Sequence, residues 1–309
     1  MTFYWKKLGR LFNPAAHKLD TKLLTHAANP LPIHLYDDVY RIFYSGRDLN
    51  NCSSVGAVDI NIITHELVHV FEYPFITPGD CLSDFCNAGI SIGNCYSVGG
   101  QKYILFMGWQ NNPGQHWRGT IGRLRITDAS KIVFDPIGPF FTIDKQDPLS
   151  LSYPWIQESP SGGFDMWYGS TITWDAGNGE MIHVINHASS SDGYEWFKSG
   201  LAVPFEIGVA QAFSHPTVYR NSDETLLMWF SYRSGTGQKY RIGLASFCPI
   251  QAKWTLDLHN SGITTSNFGW DSEMVAYPYV FEHKGFRYML YNGNGYGKSG
   301  FGLAVHLTK

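Results

Sequence analysis

Hydrophobic positions along the chain come in short bursts separated by polar turns, not in long amphipathic runs. Five segments share one form: a short apolar stretch often opened by proline, a polar turn, then a second apolar stretch ending in aromatic and small residues. They read NPLPIHLYDDVYRIFYSG, AGISIGNCYSVGGQKYILFMG, YPWIQESPSGGFDMWYG, HPTVYRNSDETLLMWFS and YPYVFEHKGFRYMLYNG. Apolar runs this short, bounded by Gly, Pro, Asn and Asp, predict strands joined by tight turns. Near the ends of the second strands, the aromatics Tyr44, Phe106, Trp167, Trp229 and Tyr291 fall 61 or 62 residues apart. Such a period is the mark of a repeated structural unit.

A third apolar element follows each pair: VGAVDI, TIGRLRI, HVINHASS, YRIGLAS and SGFGLAV. A fourth, marked by an aromatic, follows four of them, at Phe71, Phe134, Trp196 and Trp254. The fifth lacks it, and Trp5 near the N-terminus has the same form. The expected architecture is all-β: one domain over residues 1–309, a five-bladed β-propeller of four-stranded blades with the N-terminal strand closing the last blade. Closure of that kind removes a free sheet edge.

Composition agrees. Aromatic and charged residues each make up 16% of the 309 residues, and there are 32 glycines. A formal net charge of −3 gives no reason to expect nucleic acid as a partner. No apolar run reaches the roughly 18 residues of a membrane span. Five cysteines at irregular spacings predict neither a disulfide framework nor a cysteine metal site. With no leader-like N-terminus, a cytoplasmic protein is expected, and no metal or cofactor is implied.

One motif argues otherwise. His65-Glu66-Leu67-Val68-His69 fits H-E-x-x-H, which binds zinc only when a helix places both histidines on one face. Here it falls in the expected outer strand of the first blade, over residues 60–70. Residues four apart on a strand are about 13 Å apart, too far to share a metal.

Chemistry in a propeller is expected where loops lead into the innermost strands. Those segments read LTHAANP, LSDFCNAG, PLSYP, QAFSHP and WDSEMVAYP. Acids occur in two of them, at Asp84 and at Asp271 and Glu273, and paired carboxylates are what glycosidic cleavage uses. His26 and His215, with Arg47 and Arg233 beyond the second strands, are candidates for an oxygen-rich or anionic part of a substrate. Asn29, Asn292, Trp109 and Tyr277 complete the candidate substrate-binding set, the aromatics as stacking surfaces. His183, His187, Arg118, Arg241, Trp117, Trp174 and Tyr296 are further candidates of the same kinds.

Taken together, HAANP…YRIFYSGRD, SDFCNAGISIG…YILFMGW, YPW…MWYGS, HPTVY…MWFSYR and GWDSEMVAYPYVFEHKGFRYMLYNGNGYGKSGFGLAV resemble the arabinanase–levansucrase–invertase superfamily. The likeness is strongest to glycosidase-like propellers encoded with bacterial surface-polysaccharide genes. It implies a sugar, nucleotide-sugar or oligosaccharide substrate, with Glu273 as proton donor and Asp84 or Asp271 as base or orienting acid. Two departures stand out. His26-Ala27-Ala28-Asn29-Pro30 has no acid where the superfamily's first-blade aspartate is expected, and Ser152-Tyr153-Pro154 stands where its middle-blade glutamate is sought. Hydrolysis, transfer to another acceptor and glycan binding without turnover all stay open.

Overall fold

A computed structural model describes residues 3–81, 83–128, 131–221, 225–235 and 237–307. The polar turn of the fourth repeat, at 222–224, lies outside the described residues. The regular structure is almost wholly strand, paired mainly antiparallel, with a few short 3-10 turns. Strand β1 (Trp5–Phe12) comes first, and the first repeat then forms β2 (Thr25–Tyr36), β3 (Val39–Arg47), β4 (Ser53–Asn61) and β5 (Leu67–Val70). The second forms β6 (Gly89–Val98), β7 (Gln101–Gln110), β8 (Arg118–Asp128) and β9 (Lys131–Phe134). The third forms β10 (Leu151–Glu158), β11 (Phe164–Thr173), β12 (Ile182–Ser190) and β13 (Phe197–Leu201). The fourth forms β14 (Ala212–Arg220), β15 (Leu226–Arg233), β16 (Arg241–Cys248) and β17 (Lys253–Leu256). The last has β18 (Ala276–His283), β19 (Phe286–Asn292) and β20 (Phe301–His306), and β1 supplies its fourth strand by pairing with β20.

The first strands of the units touch in a cycle: β2 meets β6, β6 meets β10, β10 meets β14, β14 meets β18, and β18 returns to β2. Each of these inner strands carries a break in register against its partner. The breaks fall between Ala28 and Leu31, Ile92 and Cys95, Ser152 and Trp155, Ser214 and Thr217, and Ala276 and Tyr279. Four of them contain a left-handed residue followed by proline. These residues are Asn29 (φ +56°), Tyr153 (+34°), His215 (+53°) and Tyr277 (+52°). A bulge leaves a residue unpaired, so the missing N–H of proline costs little there. This explains the prolines that open the repeats. The second unit has Gly93 instead, where a Cβ would lie 2.8 Å from the Pro154 carbonyl oxygen, so close packing of the third unit demands glycine.

Side chains near the bulges bind neighbouring units together. The Ile92 N–H donates to Ser45 Oγ at 3.1 Å, Ile156 N–H to Asn94 Oδ1 at 3.0 Å and Val280 N–H to Thr217 Oγ1 at 3.1 Å. At the closure, Asn29 N–H donates to Asn292 Oδ1 at 2.9 Å.

Two details differ from the sequence expectation. The aligned aromatics do not occupy one register position: opposite the residue before each bulge stand Ser45, Phe106, Gly169, Ser231 and Asn292. The bulge is the repeated feature, and the aromatics drift by one or two places around it. The outer strand of the first unit is also shorter than 60–70. Asn61 ends β4, residues 62–64 turn, His65 is left-handed (φ +62°), and only Leu67–Val70 are strand. Neither arrangement is the helix that H-E-x-x-H needs. No helix among the described residues is long and apolar enough to cross a membrane.

Candidate functional site

A cavity of about 300 Å³ opens where the inner strands converge, and all five units contribute to its wall. The first gives Arg47, the second Ser91, Met107, Trp109 and Trp117, and the third Ser152, Tyr153, Met181 and His183. The fourth gives Phe213, Ser214, Arg233 and Tyr240, and the last Tyr277 and Tyr296. Of the candidates, Arg47, Trp109, Arg233 and Tyr277 therefore meet in one place.

Their surroundings set what each can do. Arg47 forms no ion pair with a described residue and lies 6.0 Å from the Trp109 ring. Trp109 is held by its Nε1–H, which donates to Ser53 Oγ at 3.0 Å. Arg233 is neutralised: its Nε lies 2.6 Å from Glu180 Oε2, Nη2 donates to Glu180 Oε1 at 3.0 Å, and Nη1 donates to the Tyr296 hydroxyl at 3.0 Å. The fork onto Glu180 and the bond to Tyr296 occupy the guanidinium's donors, which suits orientation and not capture of an anion.

Beneath the aromatic wall, Tyr153, His215 and Tyr277 pack as a triangle of rings with centroids 5.3–5.7 Å apart. Burial pushes the His215 imidazole down to about 4. His26, bonded through Nδ1 to Thr25 Oγ1 at 2.9 Å, is also held at about 4, first by burial and then by Arg47 and Lys298. Both are neutral near pH 7, buried, and outside the cavity wall.

Asn292 serves closure, and Asn29 meets it through its backbone N–H. Asn292 Nδ2 donates to the Ala27 and Gly300 carbonyls at 2.7 and 2.9 Å while its oxygen takes the Asn29 N–H. Its bonding capacity is spent within the fold, so a substrate-binding role does not suit it.

The three acids stand apart from the cavity. Asp271 is buried and paired with Lys7 Nζ of β1 at 2.6 Å, and it accepts from the Tyr291 hydroxyl at 3.1 Å. Its place is the joint between the N-terminal strand and the last unit. Asp84 is exposed and opens a single turn, Asp84–Cys86; its carbonyl accepts from Gln110 Nε2 at 2.9 Å. Glu273 is exposed on the rim, where its backbone bonds Asn294 and Arg241. None of the three lines the cavity, and offset from the inner strand did not distinguish a turn or a lock from a wall position.

Sequence reasoning missed Ser152 and Glu180, and gave His183 only a secondary place. Ser152 Oγ lies 2.6 Å from His183 Nε2, and His183 Nδ1 lies 2.8 Å from Thr171 Oγ1. Burial, with Arg233 nearby, lowers the His183 pKa to about 3. The available signal was the tripeptide Ser152-Tyr153-Pro154, which occupies the bulge position.

A larger groove of about 640 Å³ runs between the third and fourth units, with Trp167, Trp254, Phe247 and an Asp165–His187 pair in its wall. Only two units build it, and its wall includes the outer-strand segments 199–201 and 253–254. The smaller cavity, set by the bulges of the inner strands, is the better candidate for a site the whole fold positions.

Glycoside hydrolases are among the solved structures with this fold. A glycosyl hydrolase from Bacteroides ovatus matches with a TM-score of 0.72 at 12% identity, covering 99% of this chain and 94% of its own. A member of the GH130 family of mannoside phosphorylases, which contains glycoside hydrolases targeting β-1,2 mannosidic linkages, matches with the same score, identity and coverage. Sucrose-6-phosphate hydrolase from Lactobacillus gasseri matches with a TM-score of 0.62 at 13% identity, over 95% of this chain and 61% of its own. The fold is that of the glycoside hydrolase-like propellers, as the sequence resemblance implied. No family model matches the chain. The uncharacterized proteins MT1551 and Rv1502 from two strains of Mycobacterium tuberculosis are each 37% identical over 305 residues, covering 97% of this chain and 98% of theirs. The chain belongs to the family of these two proteins.

Proposed function

We propose that the protein is a glycosidase-like, carbohydrate-active enzyme built as a single five-bladed β-propeller, and that its axial cavity takes a sugar bearing an anionic group. The observation that carries this reading is Arg47: a guanidinium without an ion-pair partner among the described residues, in a wall of Trp109, Trp117, Tyr153, Tyr277 and Tyr296. Aromatic faces receive sugar rings, and an uncompensated guanidinium receives a carboxylate or phosphate. A sugar or activated sugar of a surface polysaccharide has this chemistry.

Two-carboxylate hydrolysis fits the cavity poorly. No carboxylate is among the described residues that line it, and Glu180, which reaches its wall, is forked onto Arg233. Transfer to an anionic acceptor such as phosphate is the second reading, favoured by the same Arg47. Calorimetric titration of sugar phosphates and uronic acids against their uncharged parents tests the proposal. The charged sugars are expected to bind at least about tenfold more tightly, with the difference lost in Arg47→Ala, because charge-assisted hydrogen bonds contribute about 1.5–3 kcal/mol. Equal affinity for charged and uncharged sugars would overturn it.

A further inference from the structure

Ser152 and His183 lie on β10 and β12, two strands that do not pair with each other, because β11 runs between them. Their side chains meet across β11 at Gly169. A Cβ there would lie 2.1 Å from Ser152 Oγ and 2.4 Å from His183 Nε2, so the contact requires glycine at 169. His183 is fixed from behind by Thr171 Oγ1, and both Ser152 and His183 belong to the cavity wall. Ser214 holds the same bulge position in the fourth unit, but the residue opposite it is Ser231, whose Oγ accepts the Tyr277 N–H. The hydroxyl–imidazole pair is thus particular to the third unit. A hydroxyl bonded to an imidazole whose far nitrogen is oriented by a third group is the arrangement that activates a serine.

We propose that Ser152 is a nucleophile toward ester-linked acyl groups on the bound sugar, with His183 as its base and Thr171 as the positioning residue. Ser152 Oγ adds to the ester carbonyl carbon as its proton passes to His183 Nε2, a weak base in this buried setting that stays unprotonated well below neutral pH. The bond from that carbon to the sugar oxygen breaks, and the sugar oxygen takes the proton from His183. Water then adds to the acyl-serine, giving its proton through His183, and releases the carboxylic acid and free Ser152. In the tautomer that does this, His183 Nδ1–H donates to Thr171 and Nε2 accepts from Ser152. The inference rests on the axial cavity being the substrate site, but not on which sugar fills it.

The test treats the whole protein with an alkyl fluorophosphonate, in which a serine oxygen displaces fluoride, and locates the adduct by peptide mass spectrometry. Labelling at Ser152 is expected, absent in Ser152→Ala and slowed at least about tenfold in His183→Gln. Thr171→Val should slow labelling and shift its pH profile, which loss of packing alone would not do, whereas Thr171→Ser should restore both. No adduct at Ser152 in protein that melts cooperatively would overturn the inference, as would labelling indifferent to His183. Failure here leaves the charged-sugar titration intact, and failure of that titration leaves a labelled Ser152 intact, so the two readings fall separately.

Discussion

Asp271 and Arg47 are both charged groups near the open ends of strands, yet one is locked and the other is not. Asp271 is enclosed with Lys7 and Tyr291 at the joint where β1 completes the last unit. The third unit repeats the device: buried Asp147 accepts from Tyr168 and Ser170 and pairs with Lys198 of the outer strand β13 at 2.7 Å. In both places a buried carboxylate fastens a fourth strand. Around the axial cavity, by contrast, charge and hydroxyl face open volume, at Arg47 and Ser152. What separates a lock from a site is not the residue type or its offset but whether its bonding capacity is already filled.

Acid should act most strongly on the axial region. His183 is held at about 3, and His26 and His215 at about 4, all below the usual imidazole value of 6.5. A depressed imidazole favours the folded state above the unfolded pKa, and that contribution is lost as protons bind the unfolded chain. Stability should therefore decline from about pH 6.5 down through pH 4 to 3, by on the order of 3 kcal/mol per imidazole. Chemical denaturation across this range checks it, and His215→Asn should flatten the profile.

Breaking the lock comes next. Asp271→Ala leaves Lys7 unpaired beside the last unit and should lower stability by about 3 kcal/mol, since removing one partner of a buried pair costs about 3–5 kcal/mol. Thermal melting should show the loss without selective damage to ligand affinity among folded molecules. Arg47→Ala should do the reverse, weakening charged sugars about tenfold or more while the melting temperature barely moves. Glu273→Gln and Asp84→Asn should change least. Both are exposed and outside the cavity, so stability shifts within about 0.5 kcal/mol and near-normal ligand affinity are expected.

Much of the architecture was legible because repetition betrays it. The period of 61 or 62 residues, the missing fourth strand of the last repeat and the Trp5 segment together anticipated the pairing of β1 with β20. Prolines marked the inner strands, although the reason, a bulge, needed the register. The cavity was half legible. Arg47, Trp109, Arg233 and Tyr277 follow from their places at strand ends, which repetition brings to one rim. Ser152 and His183 could not be paired from sequence, because they meet across an intervening strand at one glycine. Asp271 misled because its partner, Lys7, is 264 residues away along the chain.

The central claim is that the axial cavity, and not the larger groove between the third and fourth units, holds a sugar through Arg47. A crystal structure grown with the tightest-binding charged sugar tests it directly. A sugar ring is expected against Trp109 or Tyr277, with its anionic group in hydrogen-bond reach of the Arg47 guanidinium. Density in the groove beside Trp254 and His187, with the axial cavity empty, would contradict it.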